Sequence, residues 1–446
     1  MTSRREFIKT SALAVAGVTL AADACTTPVP PAFAGSKIRV GIVGFSERAQ
    51  HSLIPSFLSQ SKELGFEIVA VSDIWSRRRD EAEKYCSKEG IKVKLYRNNE
   101  ELYDSKDVDA VIISTADFQH AMHAVEAVQA GKDAYVEKPF AETMEDARTA
   151  KDAILRSGKI VQIGSQRRSA ANYIAANDYI KSGKFGPIVM VEMTWNVNQP
   201  DRWRRPDLVA QIKESDTDWK RFLLNRPFEA WDPRKYLEFR LFWPYSSGIP
   251  GQWMSHQIDT VHWFSGFSHP RSVAANGGIY LWKDGRKNDD TMTAIFDYGP
   301  ADDLSSGFQV VYSSRFTNSY GGVKEFYFSN GGMLNLETNK ISSDGGLDKY
   351  HAEPMGLKSN MLSSLILPNT EVKTGSNTGT DPMTTAHMRN WMECVRNRKK
   401  PNADVTDGYN HSIANIMVTA ALHTGEKATF DEQTQEVLAG GKIFKF

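Results

Sequence analysis

From residue 38 the chain alternates short apolar runs with amphipathic stretches. KIRVGIVGF reads as a buried strand, ERAQHSLIPSFLSQSKELG as a helix that carries Pro55, and EIVAVSD as a second strand. IWSRRRDEAEKYCSKEG is helical, VDAVIIST is a strand, and HAMHAVEAVQAG repeats Ala and Val at helical spacing. DAYVEKP is a strand closed by Pro139, followed by the helix ETMEDARTAKDAILRSG and then KIVQIGSQ. Strand and helix in this alternation predict an α/β domain with a doubly wound parallel sheet over residues 38–165. Near residue 165 the pattern changes. GPIVMVEMTWNV, SVAANGGIYLW, MTAIFDYG, GFQVVYSSRFT, KEFYFSNG and GMLNLET alternate apolar and polar residues between Gly, Asn and Asp turns. That predicts a second domain, residues 166–446, of α+β type with a large, mostly antiparallel open sheet. Residues 200–270 are dense in Trp, Arg and Pro, and 340–385 read as loop. Helical period returns at His387–Asn397 and Tyr409–His423, so a C-terminal helix is expected to pack back on the core.

The first 34 residues alter the expected compartment. Arg4-Arg5 followed by Phe7 and Lys9 precedes an apolar run, SALAVAGVTLAA, too short to span a bilayer. This pattern resembles a twin-arginine export signal, cleaved after Ala32-Phe33-Ala34, and makes the translocon a transient partner and the periplasm the destination. Lipidation at Cys25 is the competing outcome, disfavoured because Leu20 stands two positions too far away for a good lipidation box. Beyond the leader only Cys86 and Cys394 remain, both on helical segments, which excludes a disulfide framework. Among 446 residues, 54 Lys and Arg balance 54 Asp and Glu, so no broad basic field exists to hold nucleic acid.

The first strand runs into Gly44-Phe-Ser46-Glu-Arg-Ala49. A dinucleotide turn wants G-x-G-x-x-G, so that backbone can approach a pyrophosphate at a helix N-terminus. Here Gly44 holds the first position, with Ser46 and Ala49 replacing the others. Asp73, closing the second strand, is placed either to hold adenosine ribose hydroxyls or to cap the helix from Ser76. Arg77, Arg78 and Arg79 are either a receiver for a 2′-phosphate, which keeps NADP open beside NAD, or a solvated helix face.

Later motifs follow in order: IISTADFQHAMHAVEAVQAGKDAYVEKPFAETMEDA, QIGSQRRSAANY, DWKRFL, FWPYSSGIPGQWMSHQIDTVHW and WMECVRNRKKPNADVTDGYNHSIANI. Together they resemble the Gfo/Idh/MocA oxidoreductases over nearly all of residues 38–446. The resemblance implies a Rossmann domain that binds NAD or NADP, and a second domain whose open sheet makes a homodimer or tetramer. It implies cofactor contacts at Gly44, Ser46, Arg48, Asp73, Arg78, Thr115, His120, Glu137 and Lys138. Lys138, in Glu137-Lys138-Pro139, matches the family's active-site lysine, whose ammonium would steady a developing alkoxide.

A second family motif sets Asp and His four residues apart on one helix face. Gln252 and His256 occupy those positions here. His256 suits a general base, whereas the Gln252 amide can orient an imidazole but adds no charge to raise its basicity. His262 reads as a packed core histidine, and a metal site with His256 and Asp259 is disfavoured because positions i and i+6 point roughly 120° apart. Gln166, Arg167, Tyr173, Asn196, Tyr245 and Gln252 are the candidate substrate contacts, with one or two of the many tryptophans at the pocket mouth.

Two enzyme classes fit. One is an NAD(P)-dependent oxidoreductase acting on a secondary hydroxyl of a sugar, glycoside or polyol, with tightly held cofactor. The other is a glycosidase or lyase that oxidises, eliminates and re-reduces. A retired dehydrogenase serving as a binding protein is the reading outside catalysis.

Overall fold

A computed structural model describes residues 36–368 and 381–445; the expected export signal and Cys25 lie outside the described residues. Six parallel strands form the first sheet: β1 Ile38–Val43, β2 Phe66–Ser72, β3 Lys94–Tyr96, β4 Ala110–Ile113, β5 Asp133–Val136 and β6 Val161–Ile163. Their order is β3-β2-β1-β4-β5-β6. The order reverses between β1 and β4, which is where such sheets open a crevice for a ligand. Pro55 is accommodated because the helix after β1 starts as a π turn, Ala49–Leu53, and Pro55 falls at the opening of its α portion, Ile54–Leu64.

The second sheet has eleven strands: β7 Ile188–Asn196, β8 Ser272–Gly278, β9 Thr291–Tyr298, β10 Phe308–Arg315, β11 Val323–Ser329, β12 Gly332–Asn335, β13 Lys340–Ser342, β14 Leu365–Ile366, β15 Ala428–Asp431, β16 Glu436–Ala439 and β17 Lys442–Ile443. It is antiparallel except where β7 pairs with β10. β7 to β12 lie where alternation places them. The strands β13 and β14 correct the loop reading of 340–385, and β15 to β17 have no counterpart in that reading at all. Each of these five is two to four residues long, too short for a period-2 signal to show. One face packs on the helices Ser255–Ser265 and Val405–Thr424, while the other leaves Ile295 about half exposed.

The chain crosses back over the expected boundary at residue 165. Helix Pro382–Asn397 inserts Met388, Trp391, Met392 and Val395 into the core that β1 and β2 share with the helix Ile54–Leu64. His387 reinforces the docking, bonding Ile163 O at 2.8 Å through Nε2. Cys86 and Cys394 are both buried thiols.

Candidate active site

Each central strand delivers one part of the site from its carboxyl end. Gly44, following β1, adopts φ +83°, and its N–H donates to Ser72 O at 2.9 Å. A Cβ at Gly44 would lie 2.8 Å from Ser114 O, so both conformation and space demand glycine there. Ser46 bonds Ser114 Oγ at 2.7 Å, tying the turn to the loop after β4. Asp73, following β2, accepts from the N–H of Phe45 at 2.8 Å and of Trp75 at 2.9 Å. It braces two turns and does not cap the next helix, whose N-cap is Trp75.

These strand ends open into one cleft of about 550 Å³. All nine expected cofactor contacts line it, from Gly44 and Ser46 through Asp73, Arg78 and Thr115 to His120, Glu137 and Lys138, with Arg48 between. Arg48 is engaged by Glu137 at 3.0 Å, Ser52 at 2.7 Å and Thr384 at 3.3 Å. His120 is fixed by the carbonyl of Pro139 at 2.8 Å. Arg77 and Arg78 both lie over the Trp75 ring and pair with Glu81; Arg78 lines the cleft, and Arg77 donates to Gln211. Residues 199–245 of the second domain fold across the cleft as a cover. Their fastenings are Arg205 on Glu47 at 2.6 Å, Gln119 Nε2 on Phe222 O at 2.6 Å, Arg221 on Glu126 at 2.7 Å, and Tyr236 edge-on to Trp75.

Lys138 and His256 meet at the inner end. Lys138 Nζ donates to the backbone carbonyl of Gln252, and burial pulls its pKa down to about 7, with Arg240 and Arg48 adding to the fall against Glu137 and Asp117. His256 opens the helix Ser255–Ser265 after a π turn, Pro250–Met254, and its ring stacks on Trp195 at 5.8 Å. Burial, with Lys138 and Arg167 nearby, holds His256 well below its ordinary value, so it is a neutral acceptor at pH 7. Arg167 lies over Trp195 and is anchored by the buried carboxylate of Glu325.

Of the expected substrate contacts, Gln166, Arg167 and Gln252 line the cleft. Tyr173, Asn196 and Tyr245 do not, and each is buried for another purpose. Tyr173 donates to Glu325 at 3.2 Å, Asn196 donates to Tyr320 O at 3.2 Å, and Tyr245 packs edge-on against Phe118. His262 is a packed histidine, bonded to Tyr298 Oη at 2.8 Å. Sequence reasoning missed Arg202 and Arg240, which line the inner end, and Asp117 behind it. The signal for the first two was the Trp and Arg density of residues 200–245; an Asp in a loop after a strand carries none.

Gln252 is not the imidazole's partner. Its Nε2 donates to Asp117 Oδ2, its Oε1 accepts from Arg240 Nε at 2.9 Å, and Ser246 Oγ donates to the same Asp117 oxygen at 2.6 Å. Gln252→Glu is therefore expected to lose activity, because it sets a carboxylate against Asp117, and Asp117→Asn in the same chain is expected to restore it. Steady-state kinetics of both variants decide this; improved activity in the single variant would overturn the arrangement.

Residues 38–165 match the family GFO_IDH_MocA, described as an oxidoreductase family with an NAD-binding Rossmann fold. Inositol 2-dehydrogenase of Salmonella typhimurium is 33% identical over 168 residues, covering 37% of this chain and 49% of that protein. The 1,5-anhydro-D-fructose reductase of Ensifer adhaerens is 32% identical over 202 residues, covering 43% of this chain and 58% of that one. The chain thus spans about half the length of the relatives it matches. In fold, a levoglucosan dehydrogenase solved with NADH and levoglucosan superposes with TM-score 0.64 at 14% identity, over 88% of this chain and 99% of the other. An oxidoreductase domain protein from Kribbella flavida gives TM-score 0.64 at 16% identity, over 89% and 100%. The cleft fits NAD on its own evidence: the close approach at Gly44, and the buried Thr115 Oγ1 and Gln166 Oε1, which find no hydrogen-bond partner among the described residues. Residues 38–165 are thus similar to the NAD-binding Rossmann domain of the Gfo/Idh/MocA oxidoreductases, and the chain carries that fold.

Proposed function

We propose that the protein is an NAD-dependent oxidoreductase acting on a secondary hydroxyl of a sugar, glycoside or polyol. The observation that carries this reading is the convergence of Lys138 and His256 at the inner end of the dinucleotide cleft. NAD, when bound, supplies the hydride acceptor. His256, neutral at pH 7, is placed to take the hydroxyl proton, and the Lys138 ammonium holds the oxygen as its charge grows. Trp195 lines the cleft beside them, its ring stacked on that of His256. Asp73 lines the cleft, and its carboxylate would oppose a 2′-phosphate, which favours NAD over NADP.

The cover of residues 199–245 supports a tightly held nucleotide, and the Arg4-Arg5 leader supports export of the folded, loaded chain to the periplasm rather than anchoring at Cys25. Protein released from the periplasm by osmotic shock, gel-filtered and then denatured, is expected to yield about one NAD per chain. Recovery of folded protein without nucleotide would overturn retention. A covered, recycling cofactor also suits the oxidation, elimination and re-reduction route. Following ketone formation and aglycone release separately on one glycoside distinguishes the two. The half-exposed Ile295 on the bare sheet face supports a homo-oligomer built through that face.

A further inference from the structure

The cover over the cleft is fastened unevenly to the first domain. Its later part is held by buried bonds. Arg221 reaches Asn99 at 3.1 Å and Glu126 at 2.7 Å, and Arg226 pairs with Asp146 at 2.9 Å with both side chains almost fully buried. Phe222 and Tyr245 both pack edge-on against Phe118. Residues 205–211 are held otherwise. They make one short helix, Pro206–Gln211, in which no residue is buried, strung between the buried Trp203 and Ile212. Trp203 is packed against Trp253 and Phe316 and holds φ +64°, so the backbone turns sharply where the segment leaves its anchor. Among the described residues, two polar contacts tie the segment to the first domain: Arg205 forks onto Glu47 at 2.6 and 3.2 Å, and Gln211 accepts from Arg77 at 3.2 Å. Arg205 and Glu47 keep 37% and 38% of their side-chain surface in water. An ion pair so exposed adds little and is screened by salt, whereas breaking a buried pair is costly.

The weak edge is also the one beside the dinucleotide turn. Glu47 follows Ser46 in that turn, and Glu47, Arg205 and Leu208 line the cleft together with Gly44 and Ser46. We propose that residues 205–211 are the gate by which the dinucleotide enters and leaves, latched by Arg205 on Glu47, while residues 221–245 stay seated. A segment that buries so little opens locally at small cost, well before the buried edge is unseated. The strength of the latch then sets how long the nucleotide stays. The inference rests on the dinucleotide reading of the cleft and goes beyond it in naming the way in.

Two measurements on the NAD-loaded protein test it. Amide hydrogen exchange is expected to be faster over residues 207–212 than over 219–223, and Arg205→Met to speed the first stretch alone. For residence, protein loaded with radiolabelled NAD is chased with unlabelled NAD at about 0.02 M and about 0.5 M salt. Arg205→Met and Glu47→Gln are each expected to speed loss of label about three- to fivefold at low salt, and the double variant to go no further than either, because one contact is lost in all three. High salt should speed the native protein and leave the variants nearly unchanged. The gate is overturned if the two stretches exchange hydrogen alike, or if native and variant proteins release NAD at one rate. Faster release from Arg205→Met with slower release from Glu47→Gln would assign Arg205 to the nucleotide phosphates and overturn the latch. A chain that takes up no NAD would fail the dinucleotide reading and the gate with it, whereas bound NAD released at a single rate would fail the gate alone.

Discussion

Replacing Lys138 with Met is expected to lower turnover by about 10²–10⁴-fold, leave the nucleotide bound and raise the melting temperature. The three effects share one cause. Burial brings the Lys138 ammonium to a pKa of about 7, below its unfolded value, so the fold opposes the charge that the reaction uses. The opposition is absent above the unfolded pKa, grows as the pH falls towards 7 and is constant below that. The thermal gain of the Met variant should accordingly be larger at pH 6 than at pH 10, and oxidation by the native protein should fall as the pH rises through the Lys138 transition. Differential scanning at both values, with nucleotide counted after denaturation, checks each part. Activity within about threefold of the native protein would remove Lys138 from the chemistry.

Glu325→Ala is expected to cost about 3–5 kcal/mol of stability, although its carboxylate never reaches the cleft. Arg167 and Glu325 are both almost fully buried, and Tyr173, Thr260 and Tyr327 all direct hydroxyls to the same carboxylate. Without it Arg167 becomes an uncompensated buried charge beside the substrate wall. A double variant with Met at 167 and Leu at 325 should recover much of the loss, since an apolar pair avoids that desolvation. Urea unfolding of the two proteins decides it. A single variant as stable as the native chain would show that Arg167 finds another counter-charge.

Legibility from sequence followed the length and locality of each signal. The parallel sheet could be read because its buried strands, such as IRVGIV, are unbroken apolar runs between helices, and the turn at Gly44 sits immediately after one. The nine expected cofactor contacts lie in such turns or in the helices that follow them, and all nine line the cleft. Substrate-side reasoning did less well because exposure cannot be inferred from residue type. Tyr173 and Tyr245 have the chemistry of sugar contacts, yet one serves a buried carboxylate and the other an aromatic cluster. Gln252 reads as a weakened Asp, while the carboxylate that accepts its hydrogen bond, Asp117, lies 135 residues away in the chain, beyond any spacing rule.

The return of helix Pro382–Asn397 to the nucleotide half sets an order on the birth of the protein. As the ribosome passes residue 165, all six parallel strands have been made, but Phe66 and Tyr135 still lack Trp391, their aromatic neighbour in the finished core. Contacts of that sequence separation form late, because the loop they close is long. The first half therefore waits, with apolar surface uncovered, until the chain is almost complete. The complete cleft, whose lining includes Asp381 and Met383 at the start of that helix, is in consequence a feature of the nearly finished polypeptide and not of its emerging amino-terminal half.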